Sequence, residues 1–436
     1  MSRLAILGGT PLRRRPFPPW PEFDQREEEG LRDVLAGRNW GGFPFPNRLA
    51  KELGRRFAES HDARKGLAAA NGTVTLEIAL RGCGIRPGDH VILPAYTWEG
   101  TAAAVLWAGA VPIFVDCDPD TYCIDPNLVE HALSPHTRAV ICVHLGMNLC
   151  DLDRLVEICQ RRDLHLIEDC AHAHGSRWKG KGAGSYGSCG SFSFQTSKLM
   201  TAGEGGMLVT SDDRIEERCQ SLINCGRAAE QDRFGDRLIG YNYRMTEFQA
   251  AVLLVQLARL AEQTERREQA LAYLEPRIQS IEGLRLLARD LRTTTRACYQ
   301  MVLRYDPTRF GGVSRNVFIT ALEAEGIPCD GMFYEPIYRS SLFPFNREAF
   351  PGFAVTAECP DYSSVRCPVA ERAAYEESIW IPHWTLLGAE PDWDDLVSAL
   401  EKVARSAHEL VGFENERVRE KGLSRSSRES RVARRE

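Results

Sequence analysis

Ser191-Phe192-Ser193-Phe194-Gln195-Thr196-Ser197-Lys198, with Gly203-Glu204-Gly205-Gly206 just after it and Glu168-Asp169 before it, is the stretch on which the fold turns. Leu164 to Ile167 is a short β-rich run that ends on the acids. Ser191 to Phe194 is another, and it leads to the lysine. Met207 to Thr210 reads as a third. Working outward, His90 to Leu93, Val111 to Val115 and Ala139 to Val143 have the same character, and helical spacing fills gaps such as Leu152 to Arg161. Alternation of this kind predicts an α/β fold with a mostly parallel central sheet flanked by helices. Ligands in such sheets gather beyond the carboxyl ends of the strands. Trp98, His144, Asp169 and Lys198 each follow a strand at that end, so they are expected to converge on one crevice.

A lysine after one strand and an acid at the end of another suit pyridoxal phosphate (PLP). The amine can form a Schiff base with the cofactor aldehyde, and the carboxylate can keep the ring nitrogen protonated so that the ring accepts electrons. Most of the 54 lysines and arginines must be solvated. Lys198 is set apart by aromatic and small residues before it, a glycine turn after it and an acid on a neighbouring strand. Gly72-Thr73 precedes Val74 to Leu80, which reads as a helix whose N-terminal amides would hold a phosphate; the alternative is a cap at Thr73 with no ligand. Trp98 offers a flat surface for a pyridine ring, or else is a core tryptophan opening the helix through Val105 and Trp107. His172 can hydrogen-bond a cofactor oxygen, or else is a buried, satisfied histidine.

Composition fits a large enzyme. The chain has 436 residues, 43% hydrophobic and 26% charged, enough for two cores. A net charge of -6 gives no global basic field, so no nucleic-acid partner is expected. Ala102 to Val115 is the longest apolar stretch, contains Gly109 and Pro112, and falls short of the roughly 20 residues of a membrane helix. Leu4 to Leu7 is too short for a signal peptide core, and the expected location is the cytoplasm. Fourteen cysteines lie between Cys83 and Cys367 without a C-x-x-C pair. Reduced, buried thiols are expected and metal is not. The one tempting cluster is Asp169 to His174, where an extended segment would place Cys170, His172 and His174 on one face.

Six stretches carry a family resemblance. Asn71-Gly72-Thr73, Pro94 to Trp98, Glu168 to His172, Ser191 to Lys198, Gly203 to Gly206 and Gly240 to Met245 occur in the order found in the DegT/DnrJ/EryC1/StrS aminotransferases, which aminate keto-sugars and cyclitols. The resemblance runs from about Leu7 to Leu410. It implies a fold-type I PLP-dependent transferase with a smaller C-terminal α+β domain. Carried over position by position, it makes Lys198 and Asp169 catalytic and Gly72, Thr73, Trp98, Asp169, His172, Ser193 and Lys198 cofactor-binding. Asn242 would reach the phosphate from a partner subunit, which implies a homodimer with shared sites. Arg244 would grip the carboxylate of the amino donor, a role that a guanidinium suits, or else form a surface ion pair. Relatives with histidine in place of this lysine are dehydratases, so Lys198 favours transamination.

The second part of the chain points to a branch. Asp120 to Pro126, Arg304 to Gly312 and Cys367 to His383 resemble L-glutamine:scyllo-inosose aminotransferases, whereas Ala171 to Gly175 and Lys198 to Gly203 resemble 3-amino-5-hydroxybenzoate synthase. The expected reaction moves an amino group from glutamine or glutamate to a cyclic ketone, a cyclitol such as scyllo-inosose or a keto-sugar. A nucleotide-linked keto-sugar aminotransferase and a PLP-binding regulator remain as alternatives. His144 and His383 are candidate pocket residues or packed histidines, and Met147 to Cys150 replaces an expected glycine-rich stretch. The expected divisions are an arm over 1–20, a large PLP-binding domain over 21–265, a small domain over 266–412 and a disordered charged tail over 413–436. Met245 to Ile281, Asn316 to Glu325 and Trp393 to Leu410 are expected helices, Tyr299 to Tyr305 a strand, and the arm, rich in proline, suits lying across a partner.

Overall fold

The computed structural model describes residues 3–42, 45–227, 238–341 and 360–420, with side chains described to 413. Its helices are α1 (Gln25–Gly37), α2 (Arg48–Ser60), α3 (Gly72–Gly82), α4 (Glu99–Trp107), α5 (Pro126–His131), α6 (Leu152–Arg162), α7 (Asp213–Ile223), α8 (Glu247–Gln279), α9 (Arg315–Ala324), α10 (Pro368–Arg372), α11 (Glu390–Arg405) and α12 (Ala407–Glu420). Its strands are β1 (Lys65–Ala69), β2 (His90–Pro94), β3 (Val111–Val115), β4 (Thr137–Val143), β5 (His165–Asp169), β6 (Arg177–Trp178), β7 (Lys181–Gly182), β8 (Cys189–Ser193), β9 (Gly206–Thr210), β10 (Leu284–Leu286), β11 (Thr293–Thr295), β12 (Gln300–Tyr305) and β13 (Ser378–Pro382).

The main sheet has the order β1-β9-β8-β5-β4-β2-β3. The β3-β2-β4-β5-β8 portion is parallel, and β9 runs antiparallel to both β8 and β1. Val91, Ile92 and Leu93 are fully buried, as a central strand covered on both faces requires. β1 was not anticipated from the sequence because Lys65-Gly66-Leu67-Ala68-Ala69 lacks β-branched residues. Its glycine has a packing reason: a Cβ on Gly66 would lie 2.2 Å from the Gly54 carbonyl oxygen, so α2 crosses β1 at backbone contact.

Local signals set the helix starts. Asn71 caps α3 by accepting from Val74 N, and Asp151 caps α6 by accepting from Arg154 N. Thr246 and Gln249 form a capping box that launches α8. The apolar run from Ala102 to Val115 resolves into α4 and β3, broken at Gly109, whose φ is +76°.

The rest of the chain builds an antiparallel sheet, β10-β12-β13, with α9 against β13 and α11 packed on α8 and α9. α8 runs unbroken through 265/266, where a domain division was expected. The expected helix from Trp393 to Leu410 is two helices separated at Ser406. α12 continues to Glu420, so the first residues of the expected disordered tail are helical; 421–436 lie outside the described residues. The N-terminal arm lies on its own chain. Arg13, with no exposed side-chain surface, bridges Asp392 and Asp395 at 2.9 and 2.8 Å, and Trp20 Nε1 donates to the Thr196 carbonyl. Among the described residues no helix is long and apolar enough to cross a membrane.

Candidate active site

A cavity of about 550 Å³ opens at the carboxyl ends of β2, β4, β5 and β8. Gly72, Thr73, Trp98, Asp169, His172, Ser193 and Lys198 all line it. Each is delivered by a chain segment that the sheet aims there. α3 brings Gly72 and Thr73 at its N-terminus, the β2–α4 turn brings Trp98, β5 ends on Asp169, and β8 ends on Ser193.

Gly72 and Ser193 form a tight seam. A Cβ on Gly72 would fall 2.6 Å from Ser193 Cβ, so glycine is what lets the helix start approach the strand end. The helix cap is Asn71 rather than Thr73, which leaves Thr73 facing the cavity. Trp98 is 59% exposed and lines the opening, so it is not a core residue. Gly100 permits this: a Cβ there would meet Trp98 Cδ1 at 2.7 Å.

Asp169 is 6% exposed. One carboxylate oxygen accepts from Thr101 Oγ1 at 3.0 Å and the other from Ala171 N at 3.2 Å. Burial pushes its carboxyl group up from the ordinary range; the Ala171 N–H, the Thr101 hydroxyl and the Lys198 charge pull against that and leave a net upward shift. His172 accepts from Gly146 N through Nδ1 at 3.1 Å, so Nε2 carries the proton and donates to Tyr334 Oη at 2.9 Å. Burial, then the Lys198 charge, holds this ring well below the usual histidine range, and it stacks on Tyr299 at 4.1 Å. Lys198 Nζ stands 4.4 Å from the centroid of the Tyr299 ring.

Four candidates lie outside the cavity lining. His144 is buried, takes Cys150 N on Nδ1 at 3.1 Å and gives Nε2–H to Glu168 at 3.2 Å. His383 is fully buried, accepts from Arg267 and donates to the Ser197 carbonyl. Both are packed histidines, and His383 braces the loop that carries Lys198. Arg244 donates to Asn224 Oδ1 at 2.9 Å, and Asn242 is exposed on the strand-like bridge to Asn224. Met147 to Cys150 is buried beneath the site without lining it; Asn148 accepts from the buried Arg296.

The cysteine-histidine cluster does not form as an extended face. Residues 170–175 turn, sending His172 to the cavity and His174 into a nest of Phe57, Phe192 and Phe194. Glu168, Cys170 and His144 do bring their ligand atoms within 4.8 Å of one another. Glu168 is already saturated: Tyr186 N and Gly187 N donate to one oxygen, Gly184 N and His144 Nε2 to the other. With the imidazole proton on the shared edge, this is a polar core network rather than a metal site.

Sequence reasoning missed several lining residues. Tyr299, Phe333 and Tyr334 come from the second half of the chain, and Thr101, Trp107 and Gln195 from the first. Thr101 had a readable signal, since it lies one helical turn after Trp98 and so shares its side of α4. Tyr334 had none, because it sits in an irregular loop.

Comparison with known proteins identifies the family. The DegT/DnrJ/EryC1/StrS aminotransferase family matches residues 22–401. A Streptoalloteichus tenebrarius protein provisionally named L-glutamine:3-amino-2,3-dideoxy-scyllo-inosose aminotransferase is 43% identical over 94% of this chain and 99% of its own length. The L-glutamine:2-deoxy-scyllo-inosose aminotransferase of Micromonospora echinospora is 36% identical over 94% of this chain and 100% of its own. The crystal structure of 3-amino-5-hydroxybenzoic acid synthase superposes with a TM-score of 0.81 at 33% identity, covering 90% of this chain and 100% of that one. This chain belongs to the DegT/DnrJ/EryC1/StrS aminotransferase family.

Proposed function

We propose that this aminotransferase holds PLP on Lys198 and moves the amino group of glutamine to the ketone of a scyllo-configured cyclitol. The observation that carries the reading is the single cavity uniting Lys198, Asp169, Trp98 and the Gly72–Ser193 seam. The residues fit the cofactor. The α3 N-terminus and Ser193 suit its phosphate, the Trp98 ring its pyridine face, and the buried Asp169 its ring nitrogen. PLP, when bound, supplies an electron sink for the bond-breaking at the amino-bearing carbon.

The chain's own groups do the rest. Thr101 and Ala171 orient the Asp169 carboxylate, and a protonated ring nitrogen beside it would supply the positive charge that burial calls for. The neutral Lys198 amine would take the proton from the donor carbon and, as the ammonium so formed, would hand it on; Lys198 is the one lysine or arginine among the described lining residues. The small-domain aromatics Tyr299, Phe333 and Tyr334 cover the cavity and exclude water from that transfer.

Two features favour a cyclitol. A scyllo ring carries its hydroxyls equatorially, so both faces present only C–H, and Trp107, Phe333 and Tyr334 offer flat apolar surfaces to such faces. A nucleotide-linked sugar would need cations for its diphosphate. Lys198 alone offers one among the described lining residues. Glutamine as donor follows the names of the relatives. We further infer a cytoplasmic homodimer in which Asn242 serves the partner's cavity; the exposed Ile239, Tyr241 and Asn242 suit an interface.

The test is the absorbance of the purified protein with PLP before and after glutamine. The bound-cofactor band should convert to that of pyridoxamine phosphate. The aminated enzyme should then regain the first band with 2-deoxy-scyllo-inosose or its 3-amino derivative, and not with a nucleotide-linked keto-sugar. A cofactor band that no amino donor converts would move the reading to a PLP-binding regulator. No cofactor band at all would remove it.

A further inference from the structure

We propose that Tyr299 is a positioning residue whose ring face seats the free Lys198 ammonium and keeps it inside the cavity while it is not bonded to the cofactor. The inference rests on the reading of Lys198 as the PLP-bearing lysine.

Lys198 Nζ lies 4.4 Å from the Tyr299 ring centroid, within the roughly 6 Å at which a ring quadrupole attracts a cation. Asp169 turns its oxygens to Thr101 and Ala171. The aromatic face is therefore the anchor that the geometry offers the ammonium.

The ring is held as a fixed seat. Ser197 Oγ gives its one proton to Gln195 Oε1 at 2.7 Å, so Tyr299 Oη must donate to Ser197 Oγ, 2.8 Å away. That bond ties the seat to the residue before Lys198. The Ser197 carbonyl is in turn braced by His383 Nε2 at 3.1 Å. His172 stacks on the tyrosine at 4.1 Å with planes 25° apart. Because both His172 nitrogens have partners and the ring stays neutral, it adds no charge that would repel the ammonium. Tyr299 is 2% exposed, so the contact is desolvated, where cation–π attraction is strongest.

A side chain that merely packs against Lys198 predicts the same contact, so the test varies the ring's electrostatics at constant shape. The full chain, freed of PLP, is labelled with an amine-directed reagent at fixed pH, and modification of Lys198 is followed by mass spectrometry. Tyr299→Phe keeps the face and should label within about twofold of wild type. Replacing that phenylalanine by its mono-, di- and trifluoro analogues weakens the face stepwise, and the labelling rate should climb with each fluorine. Tyr299→Leu should label about twofold to thirtyfold faster, the span of one cation–π contact. If Tyr299→Leu does not fold, the fluorinated series decides alone. A flat series, or Tyr299→Phe behaving like Tyr299→Leu, overturns the seat and assigns the contact to packing or to the Ser197 hydrogen bond. Borohydride trapping of wild type with PLP keeps the two proposals apart. Failure to trap the cofactor on Lys198 defeats the functional reading, while the labelling series still decides for or against the seat.

Discussion

Replacing Glu168 by glutamine should unfold this protein far more readily than replacing its neighbour Asp169 by asparagine. The two acids are adjacent in sequence, yet β5 turns them to opposite faces. Glu168 is fully buried and accepts four hydrogen bonds, from Tyr186 N at 2.7 Å, Gly187 N and Gly184 N at 2.8 Å, and His144 Nε2 at 3.2 Å. Glutamine keeps one oxygen, so two buried donors would face an NH2 group. At about 1–3 kcal/mol for each unsatisfied donor, the loss is about 2–6 kcal/mol, against a total stability of about 5–15 kcal/mol for a typical folded protein.

The pH dependence has a definite sign. Burial pushes the Glu168 carboxyl up, but His144 and the backbone donors outweigh it, and the net shift is downward from 4.5. A carboxyl whose folded value lies below its unfolded one stabilises above the unfolded value and ceases to do so as pH falls through the folded value. The gap in urea midpoint between wild type and Glu168→Gln should be level from about pH 8 to 5.5 and narrow below about 4.5. Asp169 is shifted the other way, so its ionised form burdens the fold, and Asp169→Asn should hold the midpoint at or above that of wild type at pH 7 while abolishing transamination. A Glu168→Gln unfolding free energy within about 0.5 kcal/mol of wild type, well under the worth of one unsatisfied donor, would refute the reasoning. A gap that widens on acidification would refute it equally.

Gly72→Ala places a Cβ 2.6 Å from Ser193 Cβ, and titration with PLP should show affinity weakened at least about tenfold, as a shift of over ~1.4 kcal/mol requires; unchanged affinity would remove the phosphate role of that seam. Thr101→Val deletes the hydroxyl that donates to Asp169, a bond to a charged group worth about 1.5–3 kcal/mol, so single-turnover transamination should slow about 10- to 100-fold while Thr101→Ser stays near wild type. Arg13→Ala strands Asp392 and Asp395, both partly solvated, and should lower stability by about 2–3 kcal/mol, with new proteolytic cleavage between residues 14 and 20; an arm that stays resistant would show that Trp20 and the backbone bonds to Glu325 suffice to anchor it.

Hydrophobic alternation and punctuation made the sheet legible in the sequence. The runs at His90, Val111, Ala139, Leu164, Ser191 and Met207 all became strands within two residues of their expected limits, because a strand buried on both faces is mostly apolar. Lys198, Asp169 and Gly72 could be picked out for a related reason: they follow strand ends or open a helix, where local chain geometry already fixes the direction of the side chain, whereas Trp98 and Ser193 were assigned through the family resemblance. β1 escaped because its buried residues are leucine and alanine rather than β-branched, and its approach to α2 is made through a glycine-glycine contact.

What the sequence left open was which polar residues face solvent, core or cavity, since that depends on partners far away in the chain. His144, His172 and His383 are alike as letters. Tertiary contacts bury His144 against Glu168, hang His383 between Arg267 and Ser197, and bring His172 to the cavity wall under Tyr299 and Tyr334. Tyr299 reaches Lys198, and Tyr334 reaches His172, across more than a hundred residues, and no local pattern encodes a contact at that separation. The sequence by itself determined the reaction class, because the chemistry needs one lysine and one acid at the ends of neighbouring strands. Only the packing of the second half of the chain onto the sheet decided the walls of the cavity, because side chains from separate elements acquire a shared environment when long-range burial brings them together.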